Sequence, residues 1–397
     1  MKTGIAQYKI WRFEKQLLYD IKELPMIYLD YASTTPISEK ALQVYTKVAQ
    51  NYFANPSSLH DEGSKVNDLL ETCRQKLSSF IGGVKEGIIF TSGGTEGNRL
   101  AIDILLETNS KKKHIITSEL EHSSISNYMK KLIEQGYEVT FVSPKSNGTI
   151  KIEDINKKIR PDTALISIQH ANSEIGAIQS IKSISSLARE HAIFFHCDCV
   201  QSLGKIPLNV EDIGADAYTF SSHKVYGPKG CGAIYLDPTK HWIRPVLSTT
   251  HENGFRAGTV DVPSITAFVT ALSELLPMYE KNQKQHLSYR ETLKKQLPPS
   301  VQVIESEHQL PHIIGMIVHG IEGQWSMLEC NRKGIAISTG SACQVGLQKP
   351  SPVITSLGFN EQDAQQFIRV SFGIQTTEED INKFSKSIEQ IIEEFHQ

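Results

Sequence analysis

Residues 217–236, AYTFSSHKVYGPKGCGAIYL, decide the reading of this chain. The apolar run Ala217–Phe220 has the length and composition of a buried strand, and Ala233–Leu236 has them again. Between them stand Ser221, Ser222, His223, Lys224 and the tight turn Gly227-Pro228-Lys229-Gly230. Open α/β sheets place their ligands beyond the strand ends, so Lys224 is presented at a site edge. A partly desolvated lysine with an accessible neutral amine suits Schiff-base chemistry. The plain alternative is a surface lysine in a loop.

Upstream, Gly87–Thr91, His114–Thr117, Val139–Ser143, Ala164–Ile168 and Ile193–His196 read as further strands. They alternate with helical patterns: Leu100, Ile104 and Leu105, then Ile125, Met129, Leu132 and Ile133, then Ile181, Ile184, Leu187 and Ala188. This alternation predicts an α/β fold with a mostly parallel central sheet and helices on both faces. After about residue 262 the pattern changes. A long helical segment runs to Pro298-Pro299, and a smaller α+β stretch ends in a helix with Ile381, Phe384, Ile388, Ile391 and Phe395 on one face. Thr376-x-x-Glu379 reads as the capping box of that last helix. The expected organisation is an extension over 1–26, a large α/β domain over 27–264 and a small C-terminal domain over 265–397. Ile10, Phe13, Leu17, Ile21 and Leu24 suggest an amphipathic helix in the extension, and the first residues of the large domain can pack on the small one.

A chain of 397 residues exceeds the size at which one hydrophobic core keeps growing, which agrees with two domains. Hydrophobic residues at 39% and charged ones at 21% exclude disorder and fibrous classes. A net charge of −3 gives no electrostatic reason to bind nucleic acid or an anionic membrane. No apolar stretch reads as long enough to span a bilayer, and the start lacks the pattern of a secretory signal. The six cysteines contain no CxxC, which removes the usual zinc-ribbon and thioredoxin spacings. Free thiols suit a reducing compartment, hence the cytoplasm.

His196-Cys197-Asp198-Cys199-Val200-Gln201 ends a strand. Asp198 is an expensive placement there without a cationic partner, and a protonated pyridine nitrogen would be one. Strand alternation puts Cys197 and Cys199 on one face and His196 and Asp198 on the other, so the four do not converge on a metal. The two cysteines read as small buried hydrophobes. In Thr91-Ser92-Gly93-Gly94-Thr95-Glu96-Gly97-Asn98 the paired glycines and a helix N-terminus offer amides to an anion, for which phosphate is the natural occupant. It is neither a Walker P-loop nor a GxGxxG fingerprint. His122 precedes a helix start and reads equally as a cap; Asn172 follows a strand and reads equally as turn chemistry. Residues 338–352, STGSACQVGLQKPSP, have no helix or strand period. Cys343 in such a loop reads as an exposed thiol put to use as a nucleophile.

Together LDYASTTP, NPSSLH, TSGGTEGN, ELEHSS, ANSEIGAIQ, HCDCVQ, SSHKVYGPKG, RAGT, GSAC and FIRVSFG, in this order from Ile27 to about Glu379, resemble the cysteine desulfurases of the NifS/IscS type, which belong with the class V aminotransferases. The resemblance implies a fold-type-I pyridoxal-phosphate enzyme. Lys224 would hold the cofactor as a Schiff base, Asp198 would pair with the pyridine nitrogen, Gln201 would bind the phenolic oxygen, and His122 would stack on the ring and relay protons. Gly94, Thr95, Ser221 and His223 would grip the phosphate, and Thr259 would reach the phosphate of a second subunit in a homodimer. Asn172 and Arg369 would bind the substrate carboxylate. L-cysteine would become L-alanine, its sulfur left as a persulfide on Cys343.

The long loop further implies delivery to an iron–sulfur scaffold or a dedicated iron–sulfur client protein. No permanent metal site is implied, only a transient iron–sulfur contact of Cys343 through the acceptor. Three departures stand out: Cys199 and Val200 follow Asp198 where the family commonly has Ala at the first position, Ile374 follows Gly373 where Arg is frequent, and Gln344 and Val345 occupy positions often held by small polar residues. The alternatives are another enzyme on this scaffold (a selenocysteine lyase or a class V aminotransferase), a non-catalytic protein that kept the fold, and a zinc or redox thiol protein using Cys197 and Cys199.

Overall fold

The computed structural model describes residues 26–246, 251–340 and 350–395. The large sheet contains β1 (Ile88–Thr91), β2 (His114–Ser118), β3 (Glu138–Val142), β4 (Thr163–Gln169), β5 (Phe194–Asp198), β6 (Ala217–Ser221) and β7 (Gly232–Leu236). Their order is β1-β7-β6-β5-β4-β2-β3; β7 runs antiparallel to both its neighbours and every other pairing is parallel. Strands covered on both faces need apolar side chains on both, which is why IIFT and TALISIQ are near-continuous runs and wholly buried.

One face is covered by α1 (Glu39–Asn51), α2 (Asp61–Phe80) and, further along the chain, α5 (Ile181–Glu190). The other is covered by α3 (Gly94–Thr108) and α4 (Ser123–Glu134), through Ala101, Leu105, Ile125 and Met129. Ile133, expected on the apolar side of α4, is exposed.

The long helical segment is two helices, α6 (Val262–Leu275) and α7 (Tyr279–Gln296), joined by a 3₁₀ turn at Leu276–Met278. Pro277 cannot donate to the helical ladder, and the break falls there rather than at Pro298-Pro299 alone. By length and composition Val262–Gln296 could cross a membrane, a run the sequence reading passed over, but 56% of its apolar window is buried inside the protein. Ile265, Phe268 and Leu272 of α6 belong to the core of the large sheet.

The second sheet is antiparallel, β10 (Phe367–Ser371) against β9 (Ile313–Val318) against β8 (Val301–Val303). Helices α7, α8 (Gly323–Arg332) and α9 (Glu378–Phe395) cover it through Leu293, Cys330, Phe384 and Ile388. The α9 cap lies one residue later than expected. Thr377 N–H donates to Asp380 (2.9 Å) and Asp380 N–H donates to Thr377 Oγ1 (3.2 Å), while Glu379 pairs with Lys383 and Thr376 Oγ1 accepts from Gly373 N–H.

Ile27–Tyr28 pair in parallel with Ile335–Ala336, and Leu29 enters the core of the second sheet. The chain then crosses to the large sheet, where Thr35 N–H donates to the His223 carbonyl (2.9 Å). The amphipathic pattern of residues 10–24 lies outside the described residues.

Candidate active site

A cavity of about 260 Å³ opens at the carboxyl ends of β4, β5 and β6. It is lined by Gly94, Thr95, His122, Asp198, Gln201, Ser221, His223, Lys224 and Arg369, nine of the residues singled out in the sequence. Lys224 is placed by β6, which ends at Ser221 and turns at once into a 3₁₀ helix over Ser222–Lys224. Its Nζ donates to the Ala32 and Ser33 carbonyls at 2.6 and 2.7 Å.

Asp198 closes β5 and is 6% exposed. Its Oδ2 accepts from Asn98 Nδ2 (2.8 Å) and its Oδ1 from Val200 N–H (2.9 Å), so two donors fix the carboxylate without neutralising it. Asn98 carried no role in the sequence reading. Its signal was the helical spacing, since it lies one turn after Gly94 and faces the same way. His122 both caps α4, its Nδ1 accepting from Ser124 N–H (3.1 Å), and lines the cavity. Desolvation lowers its pKa, the Asp198 charge opposing and Lys224 assisting, so its ring is held toward the neutral form. His223, beside Thr34 Oγ1 (3.1 Å), is pushed down to about 3 by burial and then by Lys224.

The α3 N-terminus meets the cavity at Gly94 and Thr95. Gly93 has φ 142°, and a Cβ on Gly94 would stand 2.9 Å from Val200 Cγ2, so this turn leaves room only for glycine. Ser221 Oγ and Asn98 Oδ1 are buried without a hydrogen-bond partner among the described residues. Orphan polar atoms beside unpaired helix amides match a bound group rich in polar atoms, and a phosphorylated pyridine fits that cradle.

Arg369 lies on β10, is 2% exposed, and reaches the cavity from the second sheet. It donates to Asp30 Oδ1 (2.6 Å), Ser33 Oγ (2.7 Å) and the Ser173 carbonyl (2.9 Å), so the salt bridge and the cavity-lining position coexist. Asn172 is placed beside the cavity but outside its lining, and its amide is committed. Oδ1 accepts from Glu174 and Ile175 N–H, and Nδ2 donates to the Leu120 carbonyl. Thr259 is exposed and lines no part of this cavity, while its neighbour Arg256 docks on Glu96 (2.7 Å) beside the α3 turn.

Cys343 lies outside the described residues. The described chain on either side of it is fastened near the cavity. Ser338 pairs with Arg369, and Ser351 Oγ donates to Glu174 (2.5 Å). Cys197 and Cys199 are fully buried with Sγ atoms 3.6 Å apart, while the His196 ring binds Ser167 and Thr219 hydroxyls on the other face. The four side chains do not converge.

Comparison with known proteins shows the family of the chain. The Aminotransferase class-V family matches residues 27–384. The putative cysteine desulfurase NifS of Bacillus subtilis (strain 168) is 49% identical over 365 residues, covering 90% of this chain and 92% of the relative. A solved NifS-like protein superimposes with a TM-score of 0.87 at 29% identity, covering 93% of this chain and 99% of that one. SspA, solved in complex with cysteine, superimposes with a TM-score of 0.77 at 30% identity over 87% of this chain and 98% of that one. The fold is thus the fold-type-I architecture of pyridoxal-phosphate enzymes, and the chain belongs to the class V aminotransferase family, among its NifS-type cysteine desulfurases.

Proposed function

We propose that this protein is a cysteine desulfurase that takes sulfur from L-cysteine, releases L-alanine and passes the sulfur through Cys343 to an acceptor. The observation that carries it is one cavity combining Lys224, a doubly anchored Asp198 and an orphan Ser221 hydroxyl at a glycine-lined helix end. Pyridoxal phosphate is the family's cofactor and, when bound, supplies an electron sink for the substrate's Cα.

The chain's own residues do the rest. Gly94 and Thr95 amides, Ser221 Oγ and His223 hold the phosphate. Asp198 keeps a proton on the ring nitrogen, held in place by Asn98 and Val200. His122 flanks the ring, and Gln201 addresses the phenolic oxygen. Lys224 Nζ takes and returns the proton at Cα. Arg369 offers a guanidinium to the substrate carboxylate, the geometry that suits two oxygens. Asn172 would contribute there by holding the turn that presents Ser173. The Cys343 thiolate attacks the substrate sulfur; an S–S bond forms, the C–S bond breaks, and the persulfide remains on Cys343.

Thr259 is exposed and outside its own chain's cavity, which leaves it free to reach the cradle of a second copy in a homodimer. An iron–sulfur scaffold or client protein fits as acceptor, and the free, buried cysteines Cys73, Cys197, Cys199, Cys231 and Cys330 suit the cytoplasm. The separate core of the second sheet supports a small C-terminal unit beside a large one, although α6, which spans residue 265, packs in the core of the large sheet.

Incubating the purified holoenzyme with L-cysteine tests the reading. Alanine and a Cys343 persulfide form in equal amounts, Cys343→Ser forms neither, and Lys224→Ala loses the cofactor's visible absorption band. Full cysteine-dependent turnover by Cys343→Ser in the presence of a thiol reductant would falsify the persulfide route.

A further inference from the structure

Behind the cofactor cavity lies a second, of about 30 Å³, room for about two waters. Lys205, Asn282, His286 and His312 line it, Lys224 stands in the wall between the two, and no carboxylate of the described residues borders it. Lys205 is the unusual member. A lysine in such a place costs desolvation that no counter-ion among the described residues offsets, and burial, with Lys224 adding, pushes its pKa down to about 7. His223, His286 and His312 are the other titratable groups that feel its charge. A methionine would fill the volume more cheaply. The lysine's side chain makes one hydrogen bond among the described residues: Nζ donates to Gln201 Oε1 at 3.1 Å.

That bond and the one Gln201 makes to the Ala32 carbonyl orient its amide from both ends. Below about pH 7 the side chain is an ammonium with donors only, so it meets the oxygen end of Gln201 and not the nitrogen end. With Oε1 held to the rear, Nε2 must face forward, where it donates to the Ala32 carbonyl at 2.9 Å. Gln201 is 5% exposed and lines the cofactor cavity.

We propose that Lys205 is a positioning residue for the desulfurase reaction: its ammonium holds the Gln201 amide so that Nε2, rather than Oε1, is offered to the phenolic oxygen of the cofactor. This rests on the cofactor placement proposed above. A donor at that oxygen stabilises its anionic form, whereas a flipped amide would set oxygen against oxygen.

The test uses Lys205→Met, which keeps the volume and removes the donor, beside Gln201→Leu, the double variant, and Lys205→Arg, which again only donates. In the holoenzyme, Lys205→Met raises the cofactor's dissociation constant by about three- to tenfold and shifts the pH midpoint of its visible band. Gln201→Leu shifts that midpoint the same way, the double variant shifts it no further, and Lys205→Arg stays at the wild-type value. In the cofactor-free protein, the Gln201 side-chain NH₂ resonances of Lys205→Met report two orientations in place of one. An unmoved midpoint in Lys205→Met, or effects of the two substitutions that add in full, overturns the proposal. A wild type that takes up no cofactor sinks the placement instead, while the amide resonances still judge Lys205.

Discussion

Ser221 Oγ is a buried hydroxyl with no hydrogen-bond partner among the described residues. Such a group costs stability until a ligand satisfies it. Ser221→Ala is therefore expected to leave the melting temperature of the cofactor-free protein unchanged or raised, and to weaken cofactor binding by about tenfold or more, since the lost bond runs to a charged phosphate. Calorimetry and cofactor titration check both halves. Glu121, fully buried between Ser118 Oγ and the Gln169 N–H, is raised by desolvation from 4.5 to about 8. Between those pH values the folded protein holds a proton that the unfolded chain has released, so this group's contribution to stability falls as pH rises across the window. Glu121→Gln has no such proton. Its melting temperature relative to wild type should climb from about pH 5 to about pH 8 and then level off; a flat difference would mean that the carboxyl is already ionised when folded. At this scale the sequence was eloquent about Lys224 and Asp198, whose strand-end positions follow from local pattern. It was mute on Asn98 and Glu121, whose importance comes from partners 100 and 48 residues away.

The strands of the large sheet were the most legible elements, because burial on both faces leaves the same apolar signature at all of them but the edge strand β3. Helix ends were less so. The α9 cap slipped by one residue since Thr376 and Thr377 both offer hydroxyls, and the local turn bond from Gly373 N–H decides which is already spent. Thr377→Ala should cost about 1 kcal/mol in denaturant unfolding and leave cofactor binding intact. Gly232→Ala makes the opposite case. A Cβ there would stand 2.6 Å from the Phe220 carbonyl oxygen and 2.7 Å from Gly93 Cα, contacts that backbone cannot yield cheaply. The substitution should cost about 1–3 kcal/mol and, because Gly93 opens the phosphate cradle, weaken the cofactor too. Retained affinity would show that the β7 approach does not shape that turn.

The cavity draws on both halves of the molecule, Lys224 and Asp198 from the large sheet and Arg369 from the small one. A ligand bound only by the folded protein adds stability by mass action, about 2.7 kcal/mol at a hundredfold excess over its dissociation constant. Loading pyridoxal phosphate should therefore raise the melting temperature of the whole chain, and by less in Ser221→Ala at the same concentration. This long-range convergence is what the sequence could not display, since residues 30, 173 and 369 meet only once both sheets are folded. The ribbon from Ile27 to Thr35 makes that meeting possible. It lies beside Ile335–Ala336, Ala32 N–H donates to Ser371 Oγ, and its Ala32 and Ser33 carbonyls receive the Lys224 amine. The nucleophilic nitrogen is thus moored to the same short thread that stitches the C-terminal half in place. A single nick between Asp30 and Thr35 would silence the catalyst with every reactive side chain still present.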